Sequence, residues 1–175
     1  MAITDYSLAM TPSIAGQLAD MAQADIRSFV NSERSAEIPF GFAVVQGSGE
    51  KDALLPSTSD DVCVGVVVHS HAYDPDNDLG DDGVKPDREL NIMNKGRVWV
   101  VVGEGVDVGD RGFVVYDTAI SGAQTPGQIM KTNTEDVTLD TGAQIKFLTA
   151  ATSAGDLALA EIDMMNEQGE SDVGE

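Results

Sequence analysis

The sequence has few cysteine, histidine and aromatic residues. Each shortage limits the kinds of bond, site or core that the chain can form. Its single cysteine, Cys63, excludes an intrachain disulfide. Only two histidines are present, which excludes a three-histidine metal site within one chain. Aromatic residues make up 5% of the chain, so valine, alanine, leucine and isoleucine must fill most of the core.

Basic residues are also scarce, since 10 Lys and Arg face 30 Asp and Glu and give a formal net charge of −20. Affinity for nucleic acid comes from clustered Lys and Arg, and attraction to an anionic membrane needs the same charge. We therefore expect neither nucleic acid nor membrane among the partners. Such an acidic surface is typical of a protein in a salty environment. The alternative is a protein that binds a partner with one face and keeps another face in solvent.

Long apolar runs are missing as well. No stretch of about 18 apolar residues occurs, so no transmembrane helix is expected. The first residues lack the basic and apolar regions of a signal peptide, and we expect synthesis in a cytoplasm, with any exit by lysis or another route. The 175 residues are the size of one domain, which can bury roughly 70% of its unfolded surface.

Short β-branched runs between Gly-rich turns dominate what is present. The chain is organised around residues 97–116, RVWVVVGEGVDVGDRGFVVY, which predict two short antiparallel strands separated by acidic turns. Residues 94–96 predict a turn before them. Further strands are predicted over 38–46, 62–71, 90–93, 128–132, 137–140, 145–149 and 157–162. The pattern favours an all-β fold, a compact barrel or sandwich.

The sequence also predicts how some side chains in these strands are oriented and buried. Alternation in strand 62–71 places Val64, Val66 and Val68 on one face. Cys63 is expected on the opposite face, buried as a small hydrophobic residue. Trp99 stands among valines in mid-strand and is expected to be a buried anchor of the core.

Three parts of the chain differ in composition. Residues 1–35 predict an N-terminal arm that is extended in part and includes a short helix after Ser13. Residues 36–163 predict the β-barrel or sandwich domain. Residues 164–175 are polar and acidic and predict a short C-terminal tail.

The arm carries spaced apolar residues that we interpret as anchors for a neighbouring surface. They are Ile14, Leu18, Met21, Phe29 and Val30. The first three fall at i, i+4 and i+7, the spacing of one helical face. Because the arm has too little apolar surface for its own core, we expect a neighbour to order it, and we expect deletion of residues 1–30 to leave the β body folded. The alternative is a mobile terminus.

A histidine pair is the first candidate metal site. His69 and His71 lie two apart on a predicted strand and would point to the same face. With Asp76 they resemble part of a cupin site. Because no third histidine exists, a polar strand end is favoured over a metal site.

An acidic loop is the second candidate. Residues 74–82, DPDNDLGDD, place carboxylates at alternate positions, which suits Ca²⁺. The EF-hand loop needs Gly at its sixth position and Glu at its twelfth, but counting from Asp74 these are Leu79 and Lys85. A solvated loop is favoured over a calcium loop of another kind. With no nucleophile and base that can be assigned, we expect neither an enzyme nor a cofactor.

Five segments, taken in order, carry a resemblance to a known family. They are residues 38–44 (IPFGFAV), 64–73 (VGVVVHSHAY), 91–100 (NIMNKGRVWV), 109–110 (GD) and 158–162 (ALAEI). Together they resemble the structural cement proteins, or capsid decoration proteins, of tailed bacteriophages. The resemblance extends over most of the chain, from the arm to the last strand.

The resemblance implies a non-enzymatic virion protein that binds the outer surface of a phage capsid and bridges and stabilises neighbouring major capsid subunits. Its expected partners are the major capsid protein and copies of itself, with a homotrimer favoured and a dimer second. It would be made in the host cytoplasm and located on the capsid exterior, with the anchors of the arm as capsid contacts. The alternatives are a Ca²⁺-dependent surface- or carbohydrate-binding β module and a cupin-like metalloenzyme.

Overall fold

The computed structural model describes residues 13–20, 24–34, 36–69, 83–117, 124–139, 141 and 144–164. Its regular elements are all β-strands, which confirms the predicted class. These ranges contain no helix long and apolar enough to cross a membrane. The strands are β1 (Asp25–Asn31), β2 (Ile38–Pro39), β3 (Ala43–Gln46), β4 (Asp52–Leu54), β5 (Cys63–Val68), β6 (Gly83–Val84), β7 (Glu89–Val101), β8 (Phe113–Val115), β9 (Ile129–Met130), β10 (Thr138–Leu139), β11 (Ile145–Phe147) and β12 (Leu157–Asp163).

Five strands close into a barrel. The order around the ring is β1, β4, β3, β5 and β7, and the ring closes because β1 also pairs antiparallel with β7. The β1–β4 pair is parallel, whereas the other neighbours are antiparallel. Closure leaves the ring without a free sheet edge, which removes the usual site of edge-to-edge aggregation.

A second layer grows from β7. Beyond the ring, β12 pairs with β7 and β11 pairs with β12, so the sheet of the barrel wall continues by two strands. A separate sheet has the order β10, β8, β9. Its Val114 and Ile129 share one buried cluster with Val66 of β5 and Val98 of β7. The small sheet therefore packs on the outside of the barrel wall.

The part of the barrel wall that lies beneath the small sheet, formed by β3, β5 and β7, is buried on both faces. One face fills the barrel, where Val44, Val67 and Ile92 pack with Phe29 and Leu90. The other face belongs to the larger outer cluster beneath the small sheet. Because each face is covered, β5 appears in the sequence as an unbroken apolar run and not as an alternation of apolar and polar residues.

A β-bulge reverses the predicted faces at the start of β5. Cys63 pairs with Val45 and Gly65 pairs with Val44, which leaves Val64 as the extra residue. Val64 consequently packs toward the barrel interior, and Cys63 toward the outer cluster. The faces predicted for these two residues were therefore wrong, because sequence alternation does not reveal a bulge.

The strand β7 corrects two further predictions. It runs for 13 residues through the predicted turn at 94–96, where Asn94 is the extra residue of a bulge opposite β1. Residues 97–116 do not form a hairpin, because β7 pairs with β12 while β8 pairs with β9 and β10. Because the bulge accommodates one extra residue, the strand continues through these turn-like residues.

Trp99 is not the buried anchor that the sequence predicted. Its neighbours Val98 and Val100 are fully buried, whereas Trp99 is only half-buried. It pairs with Leu159 of β12, which is half-buried as well. Since side chains alternate along a strand, the two valines face the outer cluster and the indole lies on the opposite face, which is only partly covered.

Residues 13–20 form no helix but lie along residues 97–99 of β7. Gly16 N donates to Trp99 O at 2.8 Å, and Ala19 N donates to Arg97 O at 3.0 Å. Gly16 has a φ of 74°, and a Cβ there would lie 2.7 Å from His69 N. The helix prediction was wrong because these backbone groups bind a strand, in a close approach that only glycine permits.

The end of the predicted arm is built into the barrel as β1. Phe29 packs in the barrel interior, and the fully buried Asn31 donates from Nδ2 to Val84 O at 2.7 Å. Asn31 Oδ1 accepts from Glu33 N at 2.9 Å, so both ends of the amide are satisfied. A separate unit over residues 1–35 stays a prediction, but its last strand is a member of the ring.

Truncation at two points tests this arrangement. Deletion of residues 1–20 keeps all of β1 and should leave a cooperatively folded barrel with a lowered Tm, because it removes the backbone bonds of residues 13–20 to β7 and His69 and the Asp20–Arg97 ion pair, but no strand of the ring. Deletion of residues 1–30, which the sequence analysis expected to be harmless, removes all of β1 except Asn31 and should abolish cooperative unfolding. Far-UV circular dichroism with thermal melting checks both. A cooperative melt of the shorter protein would contradict the assignment of β1.

Substitution at the β5 bulge tests how tightly β5 and β7 approach. A Cβ on Gly65 would collide with the Met93 carbonyl and the Ile92 side chain. Gly65→Ala should lower the free energy of unfolding by about 3 kcal/mol. Gly155 is the control, since it also has positive φ but open space around it, and Gly155→Ala should cost only about 1 kcal/mol. Urea denaturation measures both, and equal losses would show that the close approach is unimportant.

Candidate functional site

Neither predicted metal site gains support from the described residues. Those ranges hold no group of three or more His, Cys, Asp or Glu side chains that could bind a metal ion. His69 lies at the end of β5 with its ring 4.7 Å from that of Phe40. His71, Asp76 and the acidic loop of residues 74–82 lie outside the described residues.

The single cysteine is enclosed by its surroundings. Burial raises the pKa of the Cys63 thiol to about 12, because a thiolate there would be desolvated. The residue as a whole is partly exposed, but its sulfur packs against the outer cluster. At neutral pH the group is therefore a protonated thiol and a weak nucleophile.

Exposed apolar side chains concentrate near the beginning of the described chain. Six large ones are exposed, namely Ile14, Leu18, Ile26, Val30, Val62 and Val108. Four of these six fall within residues 13–31, a short part of the chain. We call these four, Ile14, Leu18, Ile26 and Val30, the apolar set.

The structure describes four of the five predicted anchors, and these four differ in exposure. Ile14 is 48% exposed, and Leu18 and Val30 are each 38% exposed. Phe29 is only 9% exposed, because it packs within the barrel. Met21 lies outside the described residues.

The sequence analysis missed Ile26, which is 39% exposed. The sequence carries no clear signal for it, because residues 25–31 (DIRSFVN) do not alternate between apolar and polar. Only the structure shows that Ile26, Ser28 and Val30 are exposed while Phe29 and Asn31 are buried. The sequence analysis interpreted the stretch as part of an arm.

The apolar set stands on ordered backbone. Ile14 and Leu18 belong to the segment bonded along β7, and Leu18 forms a β-bridge with Val98. Ile26 and Val30 belong to β1, which pairs with both β4 and β7. A partner would therefore meet these side chains already in position.

Ion pairs surround this region. Arg97 contacts Asp20 at 3.3 Å and Glu161 at 3.5 Å, and Lys95 contacts Asp163 at 3.1 Å. All of these side chains are at least a third exposed. Pairs of this kind contribute little stability, and here they neutralise several of the few basic groups, which leaves the remaining surface acidic.

A cavity of about 710 Å³ lies beside the barrel. Four barrel strands contribute to its lining through Phe29 of β1, Gln46 of β3, Val64 of β5 and Asn94 of β7. Met164, just after β12, completes one side. The sequence gives no sign of this cavity, because its lining comes from segments far apart in the chain.

Known proteins share this fold. A family model described as "Structural cement protein (E217 gp24/Pam3 gp6)" matches residues 2–163. A chain from the capsid of Myoviridae phage XM1 is similar, with a TM-score of 0.63 and 13% identity over 92% of this chain and 98% of that one. The head fiber gp8.5 N base of bacteriophage phi29 shows a TM-score of 0.49 and 10% identity over 81% of this chain and 96% of that one.

No curated protein matches the sequence. The likeness to the chain of the XM1 capsid shows the fold alone, whereas the family match spans nearly the whole chain. The chain therefore belongs to the phage structural cement protein family, and its role is that of a structural protein of the phage capsid.

Proposed function

We propose that the protein binds the outer surface of a phage capsid without catalysing a reaction, bridges neighbouring major capsid subunits and stabilises the shell. The observation that carries the proposal is the apolar set, because four of the six large apolar side chains that are exposed among the described residues fall within residues 13–31. Exposed apolar groups collected in one part of a chain are typical of a protein-binding surface.

Burial of the apolar set supplies the binding energy. Each such side chain contributes ~1.5–3 kcal/mol when fully buried. The set stands on strand β1 and on the segment bonded to β7, so little of this energy is lost in ordering the backbone on binding. A mobile arm would instead lose ~1–2 kcal/mol for each residue that it orders.

The net charge of −20 supports an exterior position for the rest of the surface. Strong charge of one sign keeps a protein soluble and opposes non-specific association. We therefore propose that the apolar set faces the shell while the acidic surface faces solvent.

Attachment is proposed to involve several copies together. We favour a homotrimer, with a dimer second, because linked copies bind a lattice with an avidity far above that of one copy. Each copy of the oligomer would contact a different shell subunit, so one oligomer would hold neighbouring subunits together.

Charged substitutions in the apolar set test the surface. Leu18→Asp and Val30→Asp should each weaken binding to purified bare capsids by about tenfold or more, because a buried carboxylate replaces ~1.5–3 kcal/mol of apolar burial. Val108→Asp is the matched control, since Val108 is 69% exposed but lies outside the set. Cosedimentation with capsids measures the affinities, after circular dichroism has confirmed folding. Equal binding by all three variants would reject the surface.

Chelation separates this proposal from a Ca²⁺-dependent binding module. The loop of residues 74–82 fails the EF-hand pattern at two positions, so EDTA should leave both Tm and capsid binding unchanged. A ligand that binds only the folded state raises Tm by mass action. A rise in Tm on adding Ca²⁺, with release from capsids in EDTA, would favour the calcium module instead.

A further inference from the structure

The cavity beside the barrel lies apart from the residues of the apolar set, none of which lines it. Its walls include the apolar side chains of Phe29, Val64 and Met164. Its volume of about 710 Å³ falls within the roughly 300–1,000 Å³ typical of ligand sites, which occur often at the mouths of β-barrels. The cavity is therefore large enough for a long side chain together with the backbone beside it.

Asn94 is an incompletely bonded polar residue in this lining. It is 8% exposed, and its Nδ2 donates to Val64 O at 2.5 Å. Its Oδ1 has no hydrogen-bond partner within the described part of the chain. An unsatisfied buried acceptor costs about 1–3 kcal/mol, so an N–H donor that reached Oδ1 from the cavity would relieve that cost.

The charges that line the cavity favour a cation. Three charged residues contribute, namely Arg27, Glu50 and Asp61. The Arg27 guanidinium already pairs with Asp25 at 3.0 Å. Among the lining charges, carboxylates outnumber the guanidinium two to one, and Asp25 offsets part of the Arg27 charge.

Asp61 is held in its charged form. Partial burial raises the pKa of its carboxyl, but hydrogen bonds from Ser57 and Thr58 outweigh that effect, and the pKa lies below its usual value. The carboxylate accepts from Ser57 N at 2.7 Å and from Thr58 N at 2.9 Å. A negative charge is thus fixed at the cavity at neutral pH.

We propose that this cavity receives a lysine or arginine side chain presented by a subunit of the capsid shell. The methylene groups would pack on Phe29, Val64 and Met164, while the N–H groups would reach Asn94 Oδ1 and the carboxylates. This inference rests on the proposed capsid binding and adds a polar contact that fixes position, beside the apolar set that supplies most of the affinity.

A second copy of the chain is a poorer source of the cation. Its basic residues are outnumbered three to one by acids, 10 against 30. Four of them, Arg27, Lys95, Arg97 and Lys131, already pair with carboxylates. Two copies would also repel each other through their net charge at such a contact.

The first experiment examines the cavity without capsids. The peptide acetyl-Gly-Ala-Lys-Ala-Gly-amide is titrated into ¹⁵N-labelled protein, and the side-chain amide signals of Asn94 are followed by NMR. The lysine peptide should shift these signals, and the same peptide with norleucine in place of lysine should shift them much less. Equal shifts from both peptides, or no shift from either, would overturn the proposal of a cation site.

The second experiment examines the cavity on capsids. Val62 lines the cavity and is 68% exposed, so Val62→Lys adds a positive charge without disturbing the core. It should weaken binding to bare capsids about tenfold through like-charge repulsion at the site. Val108→Lys is the control, because Val108 is 69% exposed and does not line the cavity. It should bind capsids within about twofold of the unmodified protein.

The outcomes separate this inference from the proposed function. If Val62→Lys binds capsids as well as Val108→Lys does, the cavity contact is rejected while the capsid-binding function stands. If the unmodified protein fails to bind capsids, both fail. Weak binding by Val62→Lys together with the lysine-specific NMR shift supports the inference.

Discussion

The backbones of β5 and β7 meet at Gly65 so closely that any side chain there would overlap the carbonyl of Met93. Each strand has a bulge nearby, with Val64 and Asn94 as the extra residues. A bulge turns the following side chains to the opposite face. This is how β7 contributes Ile92 to the barrel interior and then its later valines to the outer core. The two-layer structure depends on this contact.

The double burial of the wall determines what the surface can do. Valines of β3 and β5 and the residues of β7 before its bulge supply side chains to both cores. Among the described residues, most of the exposed large apolar side chains lie on β1 and on residues 13–20, where paired backbone holds the apolar set. Binding groups on a rigid scaffold lose little entropy when they engage a partner.

Charge and apolar surface have different parts in the proposed attachment. The acidic exterior opposes non-specific association, so the proposed attachment relies on local contacts. In that proposal apolar burial supplies affinity without direction, whereas a buried acceptor such as Asn94 Oδ1 with nearby carboxylates selects position and partner. Ile26, Val30 and Asn94 lie on strands of the barrel, so the same strands hold the ring together and position these groups.

The sequence by itself determined the all-β class and the approximate places of most strands, because these depend on local composition and short-range periodicity. It also carried the resemblance to the family, through five segments taken in order. It did not reveal that residues 25–31 close the barrel, that β7 continues through 94–96, or that Trp99 is only half-buried. Alternation shows which residues share a face, but the pairing of strands and the covering of each face depend on contacts between distant segments. Those contacts exist only in the tertiary structure, and they decided which anchors are exposed and where the cavity lies.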